Sequence, residues 1–513
     1  MSWIYILPLY VNIKREKVFI MTIVTLMTYI AIVALAMTLF MTLVKKMHKS
    51  WLMTFSQNFA GVLFIFSGWV KAVDPMGTAI KMQDYFAEFE ATFSGTAFKF
   101  LAPLFPLFSE YALAFAIFMI ILEIILGIML ILGDRPKLTA WLFFLIVLFF
   151  TALTGFTFLT GYVPVDQNFF TFSAWTDFKA TNMRVTDCGC FGDFIKLDPR
   201  TSFMKDVFLM IPALYFLFRY KDMHQLFVQK SRNLIVLFST IFLLFYCFYN
   251  FYWNEPHVDF RPFKNNANIF EIYQKEKAAA NAVQVIAMKM KHKTTGAIKD
   301  FAYSDYMSNL ATITDEYETI EQIKTEPAIP ATKISDFSIT GFDGEEHAAL
   351  FLNNPEPHIM VQIYEAKYKA VPEKVIVRDS VFVYDTTVIS KDKIKIDTSL
   401  AKVDEREVDT YKIIWDNDFL YTLKSIIKPL MDSAKKDNVK LSVVISGIDS
   451  EKADLLAQET GIDGDYFTAD EKLLKTIMRS NPGVILWKNG VLLHKWHYKK
   501  LPQWSEIKAQ YLK

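Results

Sequence analysis

Cysteine is nearly absent from this chain: 513 residues include three, Cys188, Cys190 and Cys247, and none follows Tyr252. That scarcity excludes a disulfide-built fold and leaves the second half of the chain without a thiol of its own. A charge excess of either sign is missing too, since 55 basic residues against 54 acidic ones leave a net +1. No field recruits nucleic acid, and none is expected as a partner. Histidine is lacking around Cys188 and Cys190, so a zinc set cannot be completed nearby and no metal is expected.

Apolar residues are abundant at 53%, with Phe alone at 47, and they are concentrated before Tyr252; from Asn254 onward Lys, Asp and Glu dominate. A spanning helix needs about 20 mostly apolar residues to cross the hydrocarbon core. Six stretches qualify: Val18 to Val44, Leu52 to Val70, Tyr111 to Leu132, Leu138 to Gly161, Met204 to Phe218 and Leu234 to Tyr252. Six in succession, with short charged or aromatic loops between them, argue against buried helices of a soluble protein. The chain reads as a multi-pass membrane bundle joined to a soluble domain.

Basic residues cluster in alternate loops: Lys45, Lys46 and Lys49; Arg135 and Lys137; Arg219, Lys221, Lys230 and Arg232. Lys and Arg are retained on the cytoplasmic side, so all three clusters can face the cytoplasm together. The loops from Lys71 to Glu110 and from Tyr162 to Phe203, and everything after Tyr252, then face outward. Lys14, Arg15 and Lys17 oppose this parity, which makes the first span the least secure and leaves its start site open.

The outward loop before the fifth span holds Asp187-Cys188-Gly189-Cys190-Phe191-Gly192-Asp193. Two thiols separated by one glycine close a disulfide only through a small strained ring, and strain makes such a bond readily reducible. A redox pair, a static staple and a glycine-shaped turn are all compatible with this spacing. Glu123 lies mid-span, where an ionisable group either bonds a neighbouring helix or handles a proton. Ser67, Gly68 and Gly127 allow helices to approach closely around it. Lys71 and Asp74, three apart at a helix end, are spaced to pair at the membrane interface. Pro75 ends that helix, and Ala79 to Phe93 follows as an amphipathic interfacial stretch.

These residues carry a resemblance. Asn58, Phe66-Ser67-Gly68, Lys71, Asp74-Pro75, Gly77, Lys81 and Asp84-Tyr85-Phe86, with Cys188-Gly189-Cys190-Phe191-Gly192-Asp193 and Phe203, Lys205 and Asp206, resemble the bacterial DoxX and methylamine-utilisation MauE-like superfamily over about Trp51 to Phe218. The resemblance implies a four-helix module in the bacterial inner membrane with its cysteines facing the periplasm. It also implies disulfide-dependent enzyme maturation beside a thioredoxin-like partner, or thiosulfate or quinone redox chemistry.

In the soluble half, Glu271 to Lys293 reads as an exposed helix and Pro327-Ala328-Ile329-Pro330 as a linker. Strands are expected at His358 to Tyr364, Val381 to Tyr384, Val439 to Ser446, Val484 to Trp487 and Val491 to Trp496, the last two as a hairpin around Asn489-Gly490. Helices are expected at Asp418 to Lys435, Ser450 to Thr460 and Asp470 to Met478. His494 and His497 read as surface residues. Asn481-Pro482-Gly483-Val484 through Val491 resembles a thioredoxin-like fold, which implies a cis proline at Pro482 beside a client-peptide site. The Cys-x-x-Cys pair of that family is missing, so this domain cannot be an oxidoreductase by itself.

The expected organisation is an additional span over 1–50, a four-helix core over 51–220, a further span over 221–253, an extracytoplasmic connecting region over 254–331 and a thioredoxin-like α/β domain over 332–513. Two functions compete. One is extracytoplasmic thiol/disulfide or quinone-linked electron transfer by Cys188 and Cys190, with Glu123 as a proton group, a quinone as cofactor, and thiol proteins and the bilayer as partners. The other is a non-catalytic envelope scaffold whose soluble domain binds other proteins.

Overall fold

A computed structural model describes residues 22–44, 49–185, 188–390 and 393–512. Val18 to Met21 of the first expected span, the charges Lys14, Arg15, Lys17, Lys45 and Lys46, and Asp187 lie outside the described residues. The chain divides into two units, one ending at Tyr252 with Pro256–Phe260 added, the other formed by Trp253–Glu255 and Arg261–Lys513.

The first unit is helical because its apolar runs must satisfy their backbone polar groups internally. Its main helices are α1 (Ile23–Leu39), α2 (Trp51–Val73), α3 (Pro75–Ser94), α4 (Ala112–Leu132), α5 (Pro136–Leu159), α6 (Pro199–Arg219) and α7 (Gln229–Phe248). Among the described residues, five helical stretches are long and apolar enough to cross a membrane; α2 and α3, bent by 95° at their junction, make up to six if the pair is one span. The protein is therefore a multi-pass membrane protein whose exposed apolar helices contact lipid.

Local signals set the helix ends. Ser50 caps α2 by accepting from the Met53 N–H at 3.4 Å, and Asp198 caps α6 by accepting from Thr201 at 3.0 Å. Gly133 closes α4 with φ 63° at a point where a Cβ would collide with the His224 carbonyl. Polar bonds tie the helices together: Asn58 Nδ2 donates to Thr38 Oγ1 at 3.0 Å, and Gln57 Nε2 donates to the Leu130 carbonyl at 3.0 Å. Lys49 Nζ donates to the Lys221 carbonyl at 2.9 Å and Arg135 to Asn233 at 3.3 Å, so basic residues from three loops meet at one end.

The second unit is built on a six-stranded sheet. Its strands are β1 (Ala267–Asn268), β5 (His358–Ile363), β8 (Lys440–Ile445), β9 (Asp465–Thr468), β10 (Gly483–Lys488) and β11 (Val491–His497), in the order β1-β11-β10-β5-β8-β9. β5, β8 and β9 are parallel, whereas β10 runs antiparallel to β5 and to β11. β5 is buried along its whole length. One core holds Val361, Val443, Leu486 and Trp496; another, facing the opposite side, holds Met360, Val444, Ile485 and Trp487. Asn481–Pro482, immediately before β10, is a cis peptide.

Three features depart from expectation. Glu271 to Lys293 is not one helix: it ends at Asn281, and β2 (Val285–His292) pairs with β3 (Ile298–Ala302) and β4 (Tyr317–Lys324) in a separate sheet around Met288 and Met290. The β-branched start at Val285 and the alternation after it outweigh the alanines before it. The Val381 to Tyr384 strand belongs to a much longer one, β6 (Tyr368–Ser390), paired with β7 (Lys393–Trp415). Cross-strand ion pairs such as Arg378–Glu405 at 2.8 Å line this hairpin. His497 is buried at 5% exposure rather than on the surface, because β11 is covered on that face.

Candidate functional site in the membrane unit

Glycine sets the geometry. α2 and α4 touch backbone to backbone where a Cβ on Gly61 would lie 2.9 Å from the Gly127 carbonyl and one on Gly127 2.7 Å from the Gly61 carbonyl; Gly68 rests on Ile124. Small residues permit this approach where no hydrophobic force draws helices together. Close contact brings Lys71, in the last turn of α2, against Glu123 in the middle of α4. Their Nζ–Oε2 distance is 2.6 Å, with side chains 8% and 5% exposed. The ammonium also stands 5.2 Å over the Phe150 ring.

The Lys71–Asp74 pair expected from spacing is not formed. Asp74 leaves helical geometry at φ −132° and ψ 77°, which destroys the three-residue register, and its carboxylate accepts from the Gly77 N–H at 3.1 Å to start α3. Lys71 turns inward to a carboxylate far along the chain. Both members of the true pair stand out in the sequence, but spacing alone places Lys71 with its near neighbour.

A second buried pair lies opposite, between Lys205 and Asp206 on α6, and Thr154 on α5 donates to Asp206 Oδ2 at 3.0 Å. Tyr85 on α3 and Thr157 on α5 are 3.0 Å apart through their hydroxyls. Both pairs line one cavity of about 80 Å³, together with Ser67, Tyr85, Cys188 and Cys190. A water needs roughly 10–15 Å³ of such space, so the cavity has room for several.

The cysteines reach the cavity through a folded loop. Ser67 Oγ donates to the Cys190 carbonyl at 2.9 Å, pinning the motif to α2. Gly189 sits at φ 61°, a conformation that excludes most side chains, and a Cβ there would approach Lys81 at 3.2 Å. Both cysteines stand as thiols, Cys188 buried and Cys190 half-buried. Burial pushes the Cys190 thiol up from its ordinary range, while the nearby Lys205 pulls it down. Ser67 lies about 25 Å along α2 from the helix start beside Lys49, at 1.5 Å per residue, so the thiols are far from the basic end.

Of the residues expected from sequence, Cys188, Cys190, Glu123 and Lys71 converge here. Asp74 lines the adjoining helix junction, and Pro482 belongs to the other unit. From sequence, Lys205 and Asp206 count only toward the resemblance, Tyr85 toward the resemblance and an interfacial stretch, and Thr154 toward nothing, although a charged pair inside an apolar segment is a signal in itself. Cys247 packs in a separate apolar cluster with Ile120 and Leu243. Among the described residues no group of three or more His, Cys, Asp or Glu is placed to hold a metal ion.

Residues 49–164 match methylamine utilisation protein MauE. The MauE-like stretch runs from the start of α2 past the end of α5 and contains Lys71, Tyr85, Glu123 and Thr154; the cysteine motif and α6 follow it. No curated protein and no solved structure matches the chain.

In the second unit, the loop before Pro482 is held from within. Glu255 accepts from the Ser480 N–H at 2.8 Å and from Arg261 at 2.8 Å, and Asn481 Nδ2 donates to the Glu365 carbonyl at 2.8 Å. His358 Nε2 lies 2.7 Å from Ser442 Oγ, and burial lowers its pKa to about 4.

Proposed function

We propose that the membrane unit is a thiol oxidoreductase that passes electrons between extracytoplasmic thiol proteins and a membrane quinone, in a maturation process of the methylamine-utilisation type. The observation that carries this reading is the convergence of Cys188 and Cys190 with two buried ion pairs on one cavity inside the helix bundle. Buried charges are expensive in hydrocarbon and are retained where they move or hold protons.

The chemistry balances within the named groups. Two thiols, Cys188 and Cys190, lose two electrons and two protons and form one S–S bond; a quinone accepts the electrons and protons and leaves as quinol. A client dithiol regenerates the pair by exchange, becoming a disulfide itself. Lys205 partly offsets the burial that disfavours the Cys190 thiolate, and the Lys71–Glu123 pair would offer a proton acceptor and donor to a quinone bound in the cavity. A quinone ring exceeds the cavity as it stands, so its entry requires the walls, including Met82 and Met119, to give way; methionine repacks readily.

The second unit supports the docking half of the reading. Its strand order β8-β5-β10-β11, its parallel and antiparallel senses and the cis Asn481–Pro482 bond agree with a thioredoxin-like fold without cysteines, in which Pro482 would hold an extended client. On this reading, the β6–β7 hairpin stands between β5 and the helix that would carry a redox pair in a thioredoxin-like fold. The three basic loops at one end favour a cytoplasmic face there, with the thiols and the second unit on the periplasmic side of a bacterial inner membrane.

The test is quinone reduction by the full chain in proteoliposomes, starting from reduced protein. The reading expects one quinol per Cys188–Cys190 pair, abolished by Cys188→Ser or Cys190→Ser and retained by Cys247→Ala. Equal quinol formation by the Cys190→Ser protein would refute it and favour the scaffold function.

A further inference from the structure

At the end of the bundle remote from the cysteines, an open groove of about 860 Å³ runs between the start of α5 and the loops before α2 and after α6. Lys49, Arg135, Lys137 and Lys221 line it with Trp141 and Tyr220, and none of the described lining residues is acidic. The Lys49 ammonium donates to the Lys221 backbone carbonyl at 2.9 Å, which fixes Lys49 against the loop that carries Lys221. Arg135 is held at φ 38°, a conformation sparsely used by residues with a Cβ, with its guanidinium 3.3 Å from Asn233. Behind the groove the buried Asp134 lies 3.9 Å from Arg135, but Arg232 also holds it at 3.3 Å, so the cations lining the groove still exceed the negative charge beside them and favour an anion among them.

We infer that this groove binds the phosphate headgroup of an anionic phospholipid. The shared chemistry, a phosphate monoanion, could also come from solution, and α5 decides between the sources. From the groove, Leu138, Trp141, Leu145 and Leu148 follow one another at helical spacing down α5, and they are between 44% and 51% exposed. That stripe is an acyl-chain track leading directly out of the basic groove. Trp141 and Tyr220 stand at its head, the position aromatic rings take at the membrane interface. Basic pockets between spans select acidic headgroups in the same way, by roughly fivefold per cation near the surface.

The experiment uses the full chain in nanodiscs or mild detergent, with phosphatidylglycerol and phosphatidylcholine as probes and native mass spectrometry as the readout. The wild type is expected to retain phosphatidylglycerol at least about tenfold over phosphatidylcholine, each cation contributing as above. The variant carrying Arg135→Gln, Lys137→Gln and Lys221→Gln is expected to lose that preference. A second variant, Lys137→Arg with Lys221→Arg, keeps the charge and is expected to keep the preference, which separates headgroup binding from misfolding. Inorganic phosphate at millimolar concentration is expected to leave the retained lipid in place. Equal retention of both lipids by the wild type, an undiminished preference in the triple variant, a lost preference in the charge-keeping variant, or displacement of lipid by inorganic phosphate would each overturn the inference.

Discussion

Removing one partner of the Lys71–Glu123 pair perturbs the site most sharply. At 2.6 Å and an effective dielectric near 20, two unit charges attract by about 6 kcal/mol, much of it offset by what they lose in leaving water. Lys71→Met alone strands a carboxylate between α2 and α4, and Glu123→Leu alone strands an ammonium. Breaking a buried pair from one side costs about 3–5 kcal/mol, whereas replacing both partners by apolar groups is often nearly neutral. Each single variant should therefore unfold about 10 °C lower in detergent, at roughly 2–4 °C per kcal/mol for a unit of this size. The double variant should recover most of that loss, while the proteoliposome assay should show it as impaired as the singles. Melting of purified full-length protein followed by Trp fluorescence provides the measurement. Singles that melt with the wild type, or a double variant no better than the worse single, would show that the pair is not the coupled element described here.

Further outcomes follow from the same geometry. Gly68→Val should lower stability by about 1–3 kcal/mol, because its Cβ already meets Ile124, and chemical or thermal unfolding would detect it. Cys190 should alkylate slowly at neutral pH and faster as pH rises, since burial pushes its thiol up; a rate equal to that of an exposed cysteine would contradict the buried loop. The second unit should lose stability in acid through His358. Its folded pKa of about 4 lies below the ordinary 6.5, so the unfolded state binds the extra proton. That contribution is complete above pH 6.5 and is lost as pH falls toward 4, by about 3 kcal/mol in all. Denaturant melts between pH 7 and pH 4.5 would show it, and His358→Gln should flatten the dependence.

The spans were legible because hydrocarbon dictates their length and composition, though not the 95° bend between α2 and α3; most strand and helix sites from His358 to Trp496 were legible because both periods are plain there, the exception being Val381 to Tyr384 inside the long β6. Cys188, Cys190, Glu123 and Lys71 stood out as chemically unusual in an apolar half. Pairings were not legible. Lys71 has a plausible partner three residues away, and only the break of helical geometry at Asp74 sends it to Glu123. Lys205 and Asp206 are adjacent in sequence, and nothing local says that α6 turns them toward the thiols. The alanines of α8 (Ile269–Asn281) hid a strand that begins at Val285, because propensity read locally does not show where a sheet recruits its neighbours.

The most direct test of the central claim is the redox state of Cys188 and Cys190 in cells, trapped by rapid thiol alkylation with and without respiratory quinone. The pair is expected to be largely oxidised when quinone is present and to accumulate as dithiol when quinone is withdrawn. A pair that stays fully oxidised whatever the quinone supply would contradict it.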